Sequence, residues 1–194
     1  MEKTRTFVAI ELPWEAKHAL GRLRDTLVGN GCSPVKWVSP DGIHLTLKFL
    51  GDTRVEQIDI ITDSLRAVAR SKTPFNLTLG KPGTFPGPAS TRVIWIGLEG
   101  DVHSLCALQH DVEEAMVPLG FPREGRQFTP HLTLGRVREQ ARGLERQRIR
   151  DLVMSIREQT AASFQVHTFS LMRSELTRHG AIYTCLASVP LQSS

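Results

Sequence analysis

The tetrapeptide His44-Leu45-Thr46-Leu47 returns unchanged as His131-Leu132-Thr133-Leu134, and this repetition constrains the fold more than any other feature of the chain. The approaches to the two copies are alike as well. Lys36-Trp37-Val38-Ser39-Pro40 leads to the first and Arg126-Gln127-Phe128-Thr129-Pro130 to the second. Each approach runs cation, any residue, apolar residue, hydroxyl, proline. Both copies lie in alternating apolar stretches, Ile43 to Phe49 and Phe128 to Val137, the pattern of a half-buried strand. On a strand, residues i and i+2 share a face. The leucines of each copy therefore point into a core, while imidazole and hydroxyl project together from the opposite face.

Two such faces, converging on one cleft, have a definite chemistry. Imidazole is the side chain whose ordinary pKa lies near neutrality, so one ring can hold a proton while the other does not. Placed on either side of a phosphodiester, the pair supplies a general acid and a general base. The alternative for either histidine alone is a satisfied, half-buried strand residue, and threonine is common in strands for its own reasons. Repetition of His with Thr at i+2 favours the chemical reading.

Taken in order, Thr6 to Leu12 reads as a strand, and Pro13 opens a helix to about Val28, stopped by Gly29-Asn30-Gly31. A loop at Ser33-Pro34, a strand at Val35–Val38 and a Pro40-Asp41-Gly42 turn precede the first histidine strand, which Gly51 is expected to end. Thr53-Arg54-Val55-Glu56 matches a capping box for a helix with Ile58, Ile61, Leu65 and Val68 inward. Phe75–Leu79 is a strand, Gly80 to Ser90 a loop, Val93–Leu98 a strong strand, and Asp101 a cap for a helix to about Leu119. After the loop Gly120 to Pro130 comes the second histidine strand. A charged helix follows within Glu139 to Glu158, its apolar stripe being Ile149, Leu152, Val153 and Ile156. Phe164–Val166, Phe169–Arg173 and Ile182–Val189 close the chain, the last two joined at Arg178-His179-Gly180 as a hairpin.

Strand, helix, Pro-preceded histidine strand, helix, strand thus occurs twice. The expectation is a single domain over residues 1–194, bilobal by internal duplication, with approximate repeats 6–79 and 93–166 and the active cleft between the lobes. The elements alternate, but the short closing hairpin favours antiparallel pairing, so the expected class is α+β with helices outside.

The 194 residues suffice for a substantial core, with 40% hydrophobic and 23% charged content and a formal charge of +4; these values are ordinary for globular proteins. Arginines concentrated between Arg123 and Arg157 suit an anionic partner, although the run from Arg136 also reads as a solvated helix face. Three widely spaced cysteines, Cys32, Cys106 and Cys185, form no CxxC pattern and read as reduced thiols. Met1 to Pro13 lacks a long apolar run, and no stretch reaches transmembrane length. The expected location is cytoplasmic, off the membrane, as a monomer.

The double His-Leu-Thr-Leu, with Trp37-Val38 before one copy and Arg126-x-Phe128-Thr129-Pro130 before the other, resembles the two-histidine phosphoesterase superfamily. Within it the chain is similar to the RNA 2',3'-cyclic phosphodiesterases, also known as 2'-5' RNA ligases. The likeness runs from Phe7-Val8-Ala9-Ile10 through Arg92-Val93-Ile94-Trp95 to Ser174-Glu175-Leu176 and Tyr183. This resemblance implies that His44 is the proton donor, that His131 is the proton acceptor, and that Thr46 and Thr133 hold the phosphate. It further implies a bilobal α+β fold, no metal or other cofactor, and opening of a 2',3'-cyclic phosphate to a 2'-phosphomonoester. Partners would be RNA with 2',3'-cyclic phosphate ends, or cyclic nucleotides.

Arg126 is a further candidate for phosphate, because guanidinium matches phosphate oxygens; the alternative is a loop arginine without a task. Trp37, Phe85 and Phe128 are candidates for stacking a base, with core packing the competing role. His18, His103, His110, His167 and His179 do not repeat and read as structural. No Gly-x-x-x-x-Gly-Lys-[Ser/Thr] loop or Lys-x-Asp-Gly nucleophile occurs, and no His-Glu-x-x-His or Cys/His cluster suggests zinc. Ligation would then be reversal of transesterification at a strained cyclic phosphate. Competing readings are a phosphodiesterase for another cyclic nucleotide or 2'-5' oligoadenylate, and a non-catalytic RNA-binding module on the same fold.

Overall fold

A computed structural model describes residues 2–32, 34–86, 90–156, 162–178 and 180–192. Ser33 and His179 lie outside the described residues, as do the tip of the Gly80 to Ser90 segment and the end of the helix expected to reach Glu158. The described strands are β1 (Lys3–Glu11), β2 (Val35–Trp37), β3 (His44–Arg54), β4 (Phe75–Phe85), β5 (Val93–Gly100), β6 (His131–Val137), β7 (Ser163–Val166), β8 (Thr168–Thr177) and β9 (Gly180–Pro190). The described helices are α1 (Trp14–Gly29), α2 (Ile58–Ala69), α3 (Val102–Met116) and α4 (Gly143–Ser155). The class is α+β: the strands form two sheets, ordered β3-β1-β8-β9 and β2-β6-β5-β4-β7. Every described pairing is antiparallel.

The two sheets contain matching runs, β3-β1-β8-β9 against β6-β5-β4-β7. In each, a histidine strand pairs with the strand that begins its half of the chain. The third member is exchanged. Strand β4 follows the first-half helices yet joins β5, while β8 from the chain's end pairs with β1. Each half thus depends on the other to complete a sheet. One continuous apolar cluster accordingly runs through both, taking Val8, Ile10, Leu45 and Leu47 from one sheet and Ile94, Ile96, Leu132 and Leu134 from the other. All four motif leucines are at most 3% exposed, each worth roughly 1.5–3 kcal/mol of transfer free energy. In β1 the run Thr6 to Ile10 is buried on both faces. Val8 and Ile10 join the main core, whereas Phe7 and Ala9 form a small second cluster with Met172 and Tyr183 on the other face.

Several sequence expectations are corrected. Gly51 does not end the first histidine strand: it takes a positive φ of 71° inside β3, which pairs with β1 as far as Lys3 and Arg54. Thr53 is therefore a sheet residue, and its hydroxyl hydrogen-bonds that of Thr6 at 2.6 Å instead of capping α2. A 3-10 turn at Val55–Gln57 precedes that helix. Gly80 to Phe85 belongs to β4 and is not a loop. Its register jumps between Leu79 and Pro82, a bulge that breaks the period-2 signature by which a strand is recognised. Asp101 stands at the start of α3, but its carboxylate accepts the Asn76 N–H at 2.9 Å and ties the helix to β4. The amphipathic faces are placed as expected, with Ile61 and Leu65 of α2 and Ile149 and Val153 of α4 buried.

Candidate active site

Strands β3 and β6 belong to different sheets and meet where the sheets abut, with Cα atoms within 8 Å of one another. The leucine faces are committed to the core, so His44 with Thr46 and His131 with Thr133 occupy the faces turned away from it. A shared irregularity sharpens the correspondence. Between Val8 and Ala9 the partner on β3 jumps from Lys48 to Thr46, leaving Leu47 extra; between Ile94 and Trp95 the partner on β6 jumps from Gly135 to Thr133, leaving Leu134 extra. Both bulges fall three residues after the histidine. Each turns the next residue inward, so that Lys48 and Gly135 are buried, and returns the one after, Phe49 and Arg136, to the histidine face.

The imidazoles are held alike. Nδ1 of His44 donates to the Gly42 carbonyl at 2.9 Å, and Nδ1 of His131 donates to the Thr129 carbonyl at 2.7 Å. A carbonyl can only accept, so the proton of each neutral ring is fixed on Nδ1 and Nε2 is left as the working atom. In both copies the accepting carbonyl belongs to the residue two before the histidine, Gly42 in one and Thr129 in the other.

The surroundings differ. His44 packs on Phe7, with ring centroids 4.7 Å apart, and against the edge of Tyr183 at 4.8 Å. Burial pushes its pKa below the ordinary imidazole value; the Gly42 carbonyl and Glu11 pull it up, and Lys17 adds to the depression. Glu11 itself accepts a hydrogen bond from the Ser170 hydroxyl at 2.9 Å. His131 stands edge-on to Phe85, centroids 5.5 Å apart, and Phe85 stacks on Trp95 at 4.9 Å. The Trp95 indole lies over Gly83, where any Cβ would collide with it. Its Nε1 is buried without a hydrogen-bond partner among the described residues.

Thr46 and Thr133 are half-buried, each on its histidine's face. Arg126 is exposed in the loop before β6. Of the three aromatic candidates, only Phe85 touches a motif histidine. Trp37 pairs with Gly135 across β2 and β6 and packs on the main core, as does Phe128. Sequence reasoning missed Phe7, Tyr183, Trp95, Glu11, Phe49 and Arg136 as site residues. Tyr183 and Trp95 carry a family likeness in the sequence and no sign of a role, and Arg136 reads there as part of a helix face. Only knowledge of the bulge turns its offset of five from His131 into a shared face. Among the described residues no three His, Cys, Asp or Glu side chains cluster as metal ligands, and no helix is long and apolar enough to cross a membrane.

Such a site offers two imidazole Nε2 atoms, a threonine at i+2 from each, and aromatic walls. Proton transfer at a small anionic ester is chemistry it can perform. The family model of the 2'-5' RNA ligase superfamily matches residues 5–178. A protein of Methanothermobacter thermautotrophicus named RNA 2',3'-cyclic phosphodiesterase is 35% identical over 182 residues, 94% of this chain and 96% of its own. One of the same name from Aeropyrum pernix is 34% identical over 90% of this chain and 96% of its own. Among solved structures, Escherichia coli LigT complexed with 3'-AMP superimposes with a TM-score of 0.80 at 26% identity, over 99% of this chain and 100% of LigT. A Thermus thermophilus protein gives 0.79 at 29% identity, over 97% and 98%. With the family model matching residues 5–178 and a relative 35% identical over nearly the whole of both chains, the chain belongs to the 2'-5' RNA ligase superfamily.

Proposed function

We propose that the protein is an RNA 2',3'-cyclic phosphodiesterase that opens the cyclic end to a 2'-phosphomonoester. Water attacks phosphorus and gives a proton to Nε2 of His131. The P–O bond to the 3'-oxygen breaks in line, and that oxygen takes the proton from Nε2 of His44. The hydroxyls of Thr46 and Thr133, with Arg126, meet the non-bridging oxygens in positions set before the reaction. One observation carries this reading: two strands from separate sheets meet with imidazoles whose Nδ1 atoms are both tied to carbonyls, leaving two equivalent Nε2 atoms for one acid and one base. Likeness to relatives named RNA 2',3'-cyclic phosphodiesterase supports the substrate class, and the 3'-AMP complex of LigT fits a nucleotide ligand. Run backwards with a 5'-hydroxyl in place of water, the same groups would join RNA ends through a 2'-5' linkage. An internal duplication inside a single two-lobed domain, with repeats 6–79 and 93–166, belongs to the same proposal; the like pairing of β3 with β1 and of β6 with β5 supports it, while β8 and β9, which complete the first run, lie outside both repeats.

The test is turnover of a 2',3'-cyclic-phosphate oligonucleotide and of a cyclic mononucleotide, with the product's phosphate position assigned. A 2'-phosphate is expected. A 3'-phosphate product, or no turnover of either compound by folded protein, would refute the proposal.

A further inference from the structure

An ion pair lies inside the protein just beyond the first histidine motif. Lys48 and Glu113 have side chains 1% and 9% exposed. The bulge at Leu47 turns Lys48 inward, and α3 presents Glu113 to meet it; the Lys48 Nζ donates to Glu113 Oε1. Burying two charges costs several kcal/mol each, and a well-packed apolar pair in the same space is often at least as stable. Stability alone therefore does not account for these residues, and the remaining bonds indicate what does.

Lys48 Nζ also donates to the Pro122 carbonyl at 2.8 Å, and Glu113 Oε1 accepts the backbone N–H of Glu124 at 2.9 Å. Gln109, one turn earlier on α3, donates to Glu113 Oε2 at 3.0 Å and to the Leu47 carbonyl at 3.4 Å. The network thus grips Leu47 of the first motif on one side. On the other it grips residues 122 and 124 of the loop that enters the second. That loop's far end is fixed too, by Phe128 on the core and by the Thr129 carbonyl bonded to His131. Arg126 lies between these two fixed points, exposed, in a stretch without regular structure. Without the pair, the loop would lose its bonds at residues 122 and 124 and keep at that end only buried Phe121 and the exposed Arg123–Glu114 ion pair, so the Arg126 guanidinium would be held less closely before each binding event.

We propose that Lys48 and Glu113 are positioning residues that hold the Arg126 loop in its binding geometry and tie its placement to the first histidine strand. The inference rests on the reading of Arg126 as a phosphate contact. A purely apolar contact could pack the same volume, but it has no atoms with which to accept an N–H from one loop residue and donate to the carbonyl of another.

A double-mutant cycle tests this. Lys48→Met with Glu113→Leu removes both charges together, so neither is left buried and unpaired, while freeing the Pro122 carbonyl and the Glu124 N–H; Arg126→Ala removes the group acted upon. With a 2',3'-cyclic-phosphate substrate, kcat/KM is expected to fall about tenfold to a hundredfold in the Met/Leu variant and to a similar extent in Arg126→Ala, the scale of a misplaced binding group. The triple variant should be no worse than Arg126→Ala alone. If the losses multiply in the triple variant, or the folded Met/Leu variant keeps full kcat/KM while Arg126→Ala loses it, the positioning role is overturned. An Arg126→Ala enzyme with unchanged kcat/KM overturns the phosphate reading and this inference with it. A second measurement needs no substitution. Amide hydrogen exchange of the intact protein should show Glu124 protected relative to Gly125 and Arg126; equal exchange at all three would overturn the strap.

Discussion

Substituting alanine for Gly83 tests how the wall behind His131 is built. Gly83 lies opposite Trp95 in the β4–β5 ladder, and an added Cβ would sit 2.6 Å from Cη2 and 2.7 Å from Cε2 of the indole. Carbon atoms rest about 3.5–4.0 Å apart, so the ring must retreat by roughly 1 Å. It has little room for this. Phe85 is stacked on it at 4.9 Å and stands 5.5 Å from His131, and Trp95 is itself 6.4 Å from that imidazole. Overpacking of this kind costs about 1–3 kcal/mol, which lowers the melting temperature by several degrees in a chain of this length. The catalytic effect should be larger, because displacing a reacting group by about 1 Å can cost on the order of a hundredfold. The assay is kcat/KM on a cyclic-phosphate substrate alongside thermal denaturation and tryptophan fluorescence. Gly29→Ala, where nothing lies within 4 Å of the new atom, is the control and should keep full activity. If Gly83→Ala matches the parent in melting temperature and kcat/KM, the indole is not held against β4, and the account of the His131 wall is wrong.

Replacing His44 or His131 by Ala should each cost at least about a hundredfold in kcat, and a substrate with a strongly acidic leaving alcohol should rescue His44→Ala but not His131→Ala; rescue of the His131 variant alone would reverse the roles. Because burial depresses the pKa of His44, its imidazole resonances should titrate below the ordinary value of about 6.5 in the free protein and shift upward when phosphate binds; titration at or above that value in free protein would contradict the burial argument. The same shift has a sign for stability: the folded state binds this proton less readily than the unfolded chain, so the contribution is present above the unfolded value and is lost as pH falls through the window down to the folded one. His44→Gln should flatten that acid-side slope in denaturation midpoints. Hydrolysis should survive exhaustive chelation, and a loss restored by one particular divalent ion would refute the metal-free mechanism.

The histidine strands and their faces were legible because alternation along a strand is local: His44 and Thr46 point one way whatever the rest of the chain does. The amphipathic helices were legible for the same reason, since Ile61 and Leu65 share a face at helical spacing. What the period conceals is irregularity. Lys48 reads from sequence as a solvent residue and Phe49 as core-facing, yet a single extra residue in β3 reverses both. Gly80 to Phe85 reads as a loop because glycine and proline break the pattern, although β4 runs through it and Gly83 is small because an indole lies on it.

Sequence alone determined the pair of imidazoles, the hydroxyl beside each, and the preceding segments whose Gly42 and Thr129 carbonyls fix the ring tautomers. These depend on neighbours a few residues away. Tertiary structure decided which strands complete which sheet, sending β4 to β5 and β8 to β1, and so brought Phe85, Trp95 and Tyr183 to rings far from them in the chain. It also decided that a lysine and a glutamate belong inside. Those outcomes depend on contacts across long stretches of chain, 139 residues between His44 and Tyr183 and 167 between Thr6 and Arg173, and no local pattern encodes the energy of a contact whose partner has yet to be placed.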